Sequence, residues 1–416
     1  KVVFLANTGW YLYNFRLSLI NFLIKKGFDI HLICPYDAYT KKIIDKGIIV
    51  HKWDLKSSST NIFKEINSII SLYKIYQNIK PDIVHHFTIK SVLYGTLISN
   101  FCGTKIVFNS ITGLGRIFLS KNLKDKFLNF LIIPIYKLII KKSNSSLIFQ
   151  NKWDLNYFIK INIATKHNSF LIRGSGINTR IFKDKTITKS FPKRKYWKLL
   201  FPARLIREKG INELITACDK LWKKNKNFRL FIAGEYNLNQ RGNLSRDHIE
   251  KIREREYIVG IKYQSNMKNI YMNSDIVILP TWREGLSRAL LEAGCMELPI
   301  ITTNVPGCKD IVLNKKTGLL VNKKDPESIK NAIIYLMNNE KLCKKFGTNA
   351  RLYIEKNFTN DIINNQTYEL YKKIISKNIK LENQINKKQK TYREIDKNQN
   401  FYKKIFMNKF KIKEQK

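Results

Sequence analysis

Short apolar runs alternate with amphipathic helical patterns along the chain, and this alternation is typical of parallel α/β architecture. In the first half, the pattern predicts strands and helices in turn. The predicted strands are Val2–Ala6, Asp29–Cys34, Ile83–His86, Lys105–Asn109 and Ser146–Gln150, and the predicted helices are Leu12–Lys26, Thr40–Lys46, Asn61–Ile79 and Val92–Phe101.

A second series of the same kind begins near Trp197. Asp325 followed by Pro326 is typical of a helix start, and it predicts a helix through about Met337. The predicted strands of this series are Lys198–Ala203, Arg229–Ala233, Ile276–Pro280, Pro299–Thr302 and Gly318–Val321.

A polar, basic stretch without strand or helix pattern, Asp184–Lys195, separates the two series and is the best candidate for a linker. Two Rossmann-like domains joined there would face each other across a cleft at the carboxyl ends of both sheets, where ligands bind in such folds. We therefore predict an N-terminal domain over residues 1–185 and a C-terminal domain over 186–360. A helix over 361–380 would pack back toward the first domain, and residues 381–416 would form a basic tail.

The composition fits a globular protein, with 44% hydrophobic residues and a formal net charge of +44. Such a charge draws a protein to polyanions, either nucleic acid or an anionic membrane surface. The basic residues are spread evenly and no recognised nucleic-acid module is present, so we expect no specific nucleic-acid partner. We expect no signal peptide, and no run of eighteen apolar residues predicts a transmembrane helix.

The six cysteines are widely scattered, and none forms a C-x-x-C pair. This pattern argues against a structural zinc site and favours reduced, buried thiols in a cytosolic protein. The cysteines are Cys34, Cys102, Cys218, Cys295, Cys308 and Cys343.

Residues 283–294, Arg-Glu-Gly-Leu-Ser-Arg-Ala-Leu-Leu-Glu-Ala-Gly, contain the most informative chemistry. Ser287 suits an N-cap, so the backbone amides near it would point out of a helix N-terminus and bind an anion such as a diphosphate. Glu284 and Glu292 stand on either side, where carboxylates can hold sugar or ribose hydroxyls. Taken alone, the pattern is equally compatible with an ordinary helix start.

Two further loops follow predicted strands. Arg204 and Lys209 come after the first strand of the second domain, and both would project into the cleft as cations able to clamp a diphosphate. Near the start of the chain, Gly9 sits between a strand and a helix, where a glycine lets backbone amides approach a ligand. There is no G-x-G-x-x-G pattern at Gly9, so a simple tight turn explains it equally well.

Five spaced motifs together resemble the retaining nucleotide-sugar glycosyltransferases of family 4, which have the GT-B fold. The resemblance runs from about residue 1 to residue 360. The motifs are Arg204–Gly210, Asp275–Thr281, Glu284–Glu292, Asn304–Cys308 and Thr317–Val321.

The resemblance implies a role for each donor-side residue. Glu284 would contact hydroxyls of the transferred sugar, and Glu292 those of the ribose. Arg204 and Lys209 would hold the diphosphate of a UDP-sugar and balance the charge of the leaving group. These cations and the helix amides would replace a catalytic metal, so no cofactor is expected. The remaining donor contacts would come from the backbone of Gly285, Leu286 and Ser287, with Gly260 near the base.

Three motifs of the first domain, Asn14–Arg16, His86–Gly95 and Thr112–Gly115, resemble a bacterial branch that adds N-acetylhexosamine to undecaprenyl-diphosphate sugars. This implies a polyprenyl-diphosphate-linked saccharide as acceptor, at the cytoplasmic face of the cell membrane. The acceptor-side candidates are Arg16, Thr88 and Lys90 for the diphosphate and His85 or His86 for the reacting sugar. A histidine at a strand end is also common as a structural residue.

The apolar stretch Phe127–Ile140 is flanked by lysines, and it is compatible with an interfacial membrane patch or with a buried helix. Two rival functions also remain. A UDP-sugar 2-epimerase shares the two-domain architecture, and a nucleic-acid-binding protein would explain the charge. An epimerase would alter a UDP-sugar with no acceptor present, and a specific nucleic-acid binder would show sequence preference.

Overall fold

The computed structural model describes residues 1–55, 61–113, 123–143, 145–182, 195–234, 242–261, 267–381 and 383–384. The chain divides into two compact units, Lys1–Gln366 and Thr367–Lys416. The predicted linker, apart from Lys195, and nearly all of the predicted basic tail lie outside the described residues, so those two assignments stay predictions.

The first described sheet has seven strands in the order β3-β2-β1-β4-β5-β6-β7. All neighbouring strands pair in parallel. The strands are β1 (Val2–Leu5), β2 (Ile30–Cys34), β3 (Ile49–Lys52), β4 (Ile83–Phe87), β5 (Ile106–Ile111), β6 (Ser146–Phe149) and β7 (Ser169–Leu171).

Helices connect these strands, as parallel pairing requires. They are α1 (Gly9–Phe15), α2 (Leu17–Lys25), α3 (Ala38–Ile44), α4 (Ile62–Ile79), α5 (Ile89–Phe101), α6 (Leu123–Lys142) and α7 (Lys152–Lys160).

The second described sheet has six parallel strands in the order β10-β9-β8-β11-β12-β13. The strands are β8 (Trp197–Phe201), β9 (Phe228–Ile232), β10 (Ile258–Ile261), β11 (Ile276–Leu279), β12 (Ile300–Thr303) and β13 (Gly318–Val321). The helices are α8 (Ile211–Trp222), α9 (Arg246–Arg253), α10 (Met267–Met272), α11 (Arg288–Cys295), α12 (Pro326–Met337) and α13 (Glu340–Asn357), and residues 360–381 are also helical.

The two parallel α/β sheets confirm the predicted fold class. Central strands such as β1, β4 and β5 are buried along their whole length, because helices cover both faces of each sheet. Among the helices that the structure describes, none is both long enough and apolar enough to cross a bilayer.

The predicted elements differ from the structure mainly at edges and breaks. The single helix expected over Leu12–Lys26 is two helices, α1 and α2, separated at Arg16, whose φ of −124° departs from helical geometry. Strand β3 was not predicted because its side chains are half-exposed at the sheet edge, and β7 was not predicted because it has only three residues. Strand β10 is interrupted by a register shift against β9.

Candidate active site

Two loops at the carboxyl edge of the second sheet are joined backbone to backbone. The carbonyl of Glu208, in the loop after β8, accepts hydrogen bonds from Thr281 Oγ1 at 3.0 Å and from the Trp282 amide at 2.7 Å, in the loop after β11. Gly210 has a φ of +76°, and a Cβ there would lie 2.0 Å from the Pro280 carbonyl oxygen. Only glycine allows this approach, which fixes the positions of both loops.

The joined loops bring Lys209 and Glu284 together. The Lys209 ammonium donates to Glu284 Oε1 in an ion pair, with side chains 18% and 13% exposed. The carboxylate has lone pairs for further donors, and the ammonium has hydrogens for further acceptors. Arg204, on the same loop as Lys209, has an exposed side chain.

Helix α11 begins at Arg288, four residues after Glu284. Ser287 occupies the N-cap position, as predicted, although its side chain makes no capping hydrogen bond. Its amide instead donates to the Gly307 carbonyl at 3.4 Å. Gly307 has a φ of +78°, and a Cβ there would lie 2.5 Å from the Glu284 carbonyl oxygen. The Asn304–Cys308 motif therefore packs directly against the backbone of the Glu284 loop.

Glu292 lies one turn into α11, and its carboxylate accepts hydrogen bonds from two side chains. Its Oε1 accepts from Arg288 Nε at 3.0 Å, and its Oε2 accepts from Tyr271 Oη at 3.3 Å. Burial raises the pKa of Glu292, and the adjacent Arg288 opposes that shift. Arg288 also donates to the Asn14 carbonyl at 3.0 Å, which ties α11 to the Asn14–Arg16 motif of the first domain.

The two histidines proposed for the acceptor side lie inside the first sheet. His86 is fully buried, with Nδ1 donating to Asn109 Oδ1 at 2.8 Å and Nε2 accepting from Tyr76 Oη at 3.0 Å. Burial lowers the pKa of His86 to about 4. His85 is also buried, with Nε2 2.7 Å from Ser110 Oγ, and burial holds its pKa well below the usual range. In this arrangement neither ring is presented to a ligand.

The remaining acceptor-side candidates lie around the carboxyl ends of β1 and β4. Arg16 is buried, donates to Tyr11 Oη and lies 4.3 Å from the centre of the Phe87 ring. Thr88 is the N-cap of α5 with a φ of +74°, an unusual conformation for a residue other than glycine. Lys90 is paired with Glu65 at 2.7 Å, so its charge is already balanced.

The two predicted donor-side glycines lie in different sheets' surroundings: Gly9 begins α1 after β1, and Gly260 lies in β10, the edge strand of the second sheet. A Cβ at Gly9 would lie 2.6 Å from Asp37 Oδ1 and from Thr40 Oγ1, so the packing of α1 against α3 accounts for that glycine. This favours the tight turn over a ligand-binding role. Gly260 has a φ of +76° and is exposed in the edge strand β10, so its predicted contact with the base stays a prediction.

Among the described residues, several that the sequence did not assign a role contact the Glu284 loop or α11 or anchor them from within. They include Asn151, Asp154, Tyr271, Arg283 and Arg288. Arg283 and Arg288 lie within the conspicuous 283–294 stretch, so their position was visible in the sequence. Asn151 and Asp154 carried no signal, because a polar helix start is common.

All six cysteines are free in the structure, and five of them are buried. No disulfide links them, and burial raises the pKa of Cys34 to about 12 and that of Cys295 to about 12. Within the described ranges, no cluster of three or more histidine, cysteine or acidic side chains is placed to hold a metal ion.

Comparison with known proteins places both sheets in glycosyltransferase domains. Residues 1–151 match the family "Glycosyl transferase 4-like", and residues 182–353 match "Glycosyl transferases group 1". The capsular polysaccharide biosynthesis glycosyltransferase CapM of Staphylococcus aureus is 28% identical over 360 residues, which is 85% of this chain and 92% of CapM.

A second relative, from Campylobacter jejuni, is N,N'-diacetylbacillosaminyl-diphospho-undecaprenol alpha-1,3-N-acetylgalactosaminyltransferase. It is 26% identical over 390 residues, covering 90% of this chain and 99% of the relative. The crystal structure of Anabaena Alr3699/HepE in complex with UDP-glucose superposes with a TM-score of 0.72 at 14% identity, over 90% of this chain and 99% of that one. This structural likeness confirms the GT-B fold.

Proposed function

The chain belongs to the family 4 glycosyltransferases of the GT-B fold, and from that premise we propose that it transfers a sugar from a UDP-sugar to a polyprenyl-diphosphate-linked saccharide, with retention of anomeric configuration. The observation that carries this proposal is the Lys209–Glu284 pair, which stands at the carboxyl edge of the second sheet beside the start of α11. Such an edge is where ligands bind in open α/β sheets.

The Lys209–Glu284 geometry supports separate roles for the carboxylates and the cations in binding the donor. Glu284 accepts hydrogen bonds from hydroxyls of the transferred sugar, and Glu292 accepts them from the ribose. Lys209 and Arg204 stabilise the negative charge that develops on the departing diphosphate. In the retaining reaction, the bond between the anomeric carbon and the UDP oxygen breaks as the acceptor oxygen bonds to the same face. The leaving phosphate oxygen takes the acceptor's proton.

The names of two relatives support the acceptor class. One relative acts in capsular polysaccharide biosynthesis, and the other transfers N-acetylgalactosamine to a sugar on diphospho-undecaprenol. Both are similar along nearly their whole length, so we propose the same kind of acceptor here and N-acetylhexosamine as the transferred sugar. Both relatives are named as glycosyltransferases, which favours transfer over epimerisation.

A lipid-linked acceptor requires contact with a membrane, and α4 offers a suitable surface. Its spacing of three or four residues places five exposed apolar side chains within about 100° of the helix circumference. These side chains, called the α4 stripe, are Ile62, Phe63, Ile66, Ile70 and Tyr73.

The α4 stripe lies beside the acceptor-side candidates. Glu65, on the same helix, accepts from Lys90 Nζ at 2.7 Å and from Tyr94 Oη at 2.6 Å, which ties the start of α4 to α5. Lys74 borders the stripe on the helix surface, so the stripe combines apolar insertion with attraction to anionic lipid. We therefore propose peripheral binding at the inner face of the cell membrane through this stripe.

The transfer proposal is tested with a panel of UDP-sugars and a synthetic undecaprenyl-diphosphate-linked N-acetylhexosamine, scored by mass spectrometry. We expect one extra sugar on the lipid and an equal amount of UDP, with activity unchanged by a chelator. A donor converted to its 2-epimer without acceptor would support the epimerase instead. No change of donor or acceptor across the panel would contradict the proposal.

The membrane proposal is tested by flotation with vesicles containing phosphatidylglycerol. Ile66→Asp with Ile70→Asp should abolish flotation, whereas Leu352→Asp, at an exposed leucine of α13, should leave it intact. If the Ile66→Asp, Ile70→Asp variant floats as well as Leu352→Asp, the membrane contact lies elsewhere.

A further inference from the structure

The two residues on either side of Glu284 are both held by the first domain. The Arg283 guanidinium forms an ion pair with the Asp154 carboxylate, and Asp154 is fully buried. The same guanidinium lies 4.6 Å from the centre of the Trp153 ring. On the other side of Glu284, the Gly285 carbonyl accepts from Asn151 Nδ2 at 2.9 Å.

The residues that make these contacts form one preorganised unit at the start of α7. Asn151 is the N-cap, and its Oδ1 accepts from the Asp154 amide at 2.8 Å. Its Nδ2 also donates to Asp154 Oδ2 at 3.1 Å. The helix cap and this side-chain hydrogen bond together restrain Asn151 and Asp154.

The backbone also crosses closely between the domains at this point. A Cβ at Gly285 would lie 2.2 Å from the Thr112 carbonyl oxygen and 2.9 Å from Gln150 Oε1. Gly285 therefore permits the loop to lie directly against the ends of β5 and β6. A side chain at that position would separate the loop from Asn151.

We propose that Asn151 and Asp154 are positioning residues, which hold the Glu284 loop from the first domain so that Glu284 meets the donor sugar in the reactive orientation. This inference rests on the proposed transfer reaction. Glu284 stands between two anchored neighbours, so its carboxylate can move little while both anchors are made. The site is then complete only when the two domains are in contact.

An ordinary stabilising ion pair would not need this arrangement. A buried Arg–Asp pair contributes little net stability, because desolvation offsets the attraction. Here the contacts converge on the residues immediately before and after one carboxylate, and they come from a unit already fixed by its own helix cap. This convergence favours control of the orientation of Glu284.

Two conservative variants test the proposal. Asn151→Ser keeps a residue able to cap α7 but removes the donor to the Gly285 carbonyl. Asp154→Asn keeps the shape but removes the charge that pairs with Arg283. We expect kcat to fall about 10- to 100-fold in each variant, since a small displacement of a catalytic group has an effect of that size. The affinity for UDP, which lacks the sugar, should stay within twofold.

A control distinguishes positioning from general stability. Arg255→Gln breaks the pair with Asp219, made at 2.8 Å in the second domain, and should leave kcat unchanged at any cost in Tm. A charge exchange tests the ion pair directly. The double variant Asp154→Arg with Arg283→Asp should recover at least part of the kcat that either of these two single substitutions loses.

Hydrogen–deuterium exchange provides a readout that does not depend on the reaction. Amides of residues 281–287 should exchange faster in Asn151→Ser than in the wild type, whichever reaction the enzyme performs. An unchanged exchange rate with unchanged kcat would overturn the positioning role. If the wild type itself transfers no sugar while loop exchange still rises in the variant, the proposed function fails but the anchoring of the loop stands.

Discussion

The carboxyl edges of the two sheets differ in how deeply their candidate residues are buried. At the second sheet, Lys209 and Glu284 form a partly exposed pair on two interlocked loops. At the first sheet, His85 and His86 are buried, and Lys90 is bound to Glu65. The donor side therefore presents a partly exposed ion pair. On the acceptor side His85, His86 and Arg16 are buried, whereas the Lys90–Glu65 pair is about as exposed as the donor-side pair.

The difference follows from where each residue stands relative to its strand. Glu284 and Lys209 lie in loops beyond the strand ends, where side chains reach ligands. His85 and His86 lie within β4, in register with Phe108 and Asn109 of β5. A central strand is covered on both faces, so its polar side chains must be satisfied by the core. Residues beyond the strand are therefore better functional candidates than residues at its last positions.

The largest expected effect is at Glu284. Glu284→Gln keeps the shape but removes the charge beside Lys209 and weakens acceptance from sugar hydroxyls. We expect kcat to fall about 1,000-fold, at the upper end for loss of one electrostatic contact. Transfer assays at saturating donor measure it, with Tm as the control for folding. Near-normal turnover would contradict the role of Glu284 in catalysis, and the donor side of the comparison would fail.

Lys209→Ala should have the next largest effect. Without the ammonium, the departing diphosphate loses a stabilising charge, and the single-turnover rate should fall about 100-fold. Lys209→Arg serves as the charge-retaining control. A retained catalytic rate with only weakened UDP binding would contradict a role in leaving-group departure.

His86 should affect stability rather than chemistry. Its pKa is lowered from 6.5 to about 4 by burial, so the unfolded chain binds a proton that the folded one does not between these pH values. The free energy of unfolding should therefore decrease as pH falls from 6.5 to 4, by about 3 kcal/mol from this residue. Above pH 6.5 this contribution is fully present.

Denaturant unfolding across this pH range measures the effect. His86→Gln should reduce the dependence by the share of His86, while buried His85, whose pKa is also lowered, maintains the rest. The kcat per folded molecule at pH 7.5 should stay within about twofold. A loss of kcat at unchanged stability would make His86 part of the chemistry and would break the contrast between the two sheets.

The smallest effect is expected at Glu65. Glu65→Gln removes the carboxylate that pairs with Lys90 and so makes the ammonium more available to an acceptor diphosphate. We expect KM for the lipid-linked acceptor to fall by about threefold or less, as suits one partly exposed pair. Glu65→Asp is the control. A rise of KM above tenfold would mean that the paired state of Lys90 is the functional one.

The order of strands and helices was largely predictable, because continuous apolar runs mark buried parallel strands. Edge strands such as β3 and β7 were not, since their side chains are only partly buried and they lack that signal. The break at Arg16 was also missed, because no proline or glycine marks it. Such features depend on tertiary contacts rather than on local pattern.

The candidate site was predictable to a similar extent. The sequence placed Lys209 and Glu284 in loops at one sheet edge, and the structure brings them together. It could not reveal that Asn151 and Asp154 reach across to the same loop, since that contact joins positions more than 120 residues apart. Nor could it reveal that Glu65 neutralises Lys90, which depends on how α4 packs against α5.

The central claim is retaining transfer from a UDP-sugar, and the anomeric configuration of the product tests it most directly. The purified enzyme is incubated with an α-linked UDP-N-acetylhexosamine and the lipid-linked acceptor, and the new linkage is assigned by NMR. An α-linked product would agree with retention at the Lys209–Glu284 site. A β-linked product would contradict the proposed mechanism.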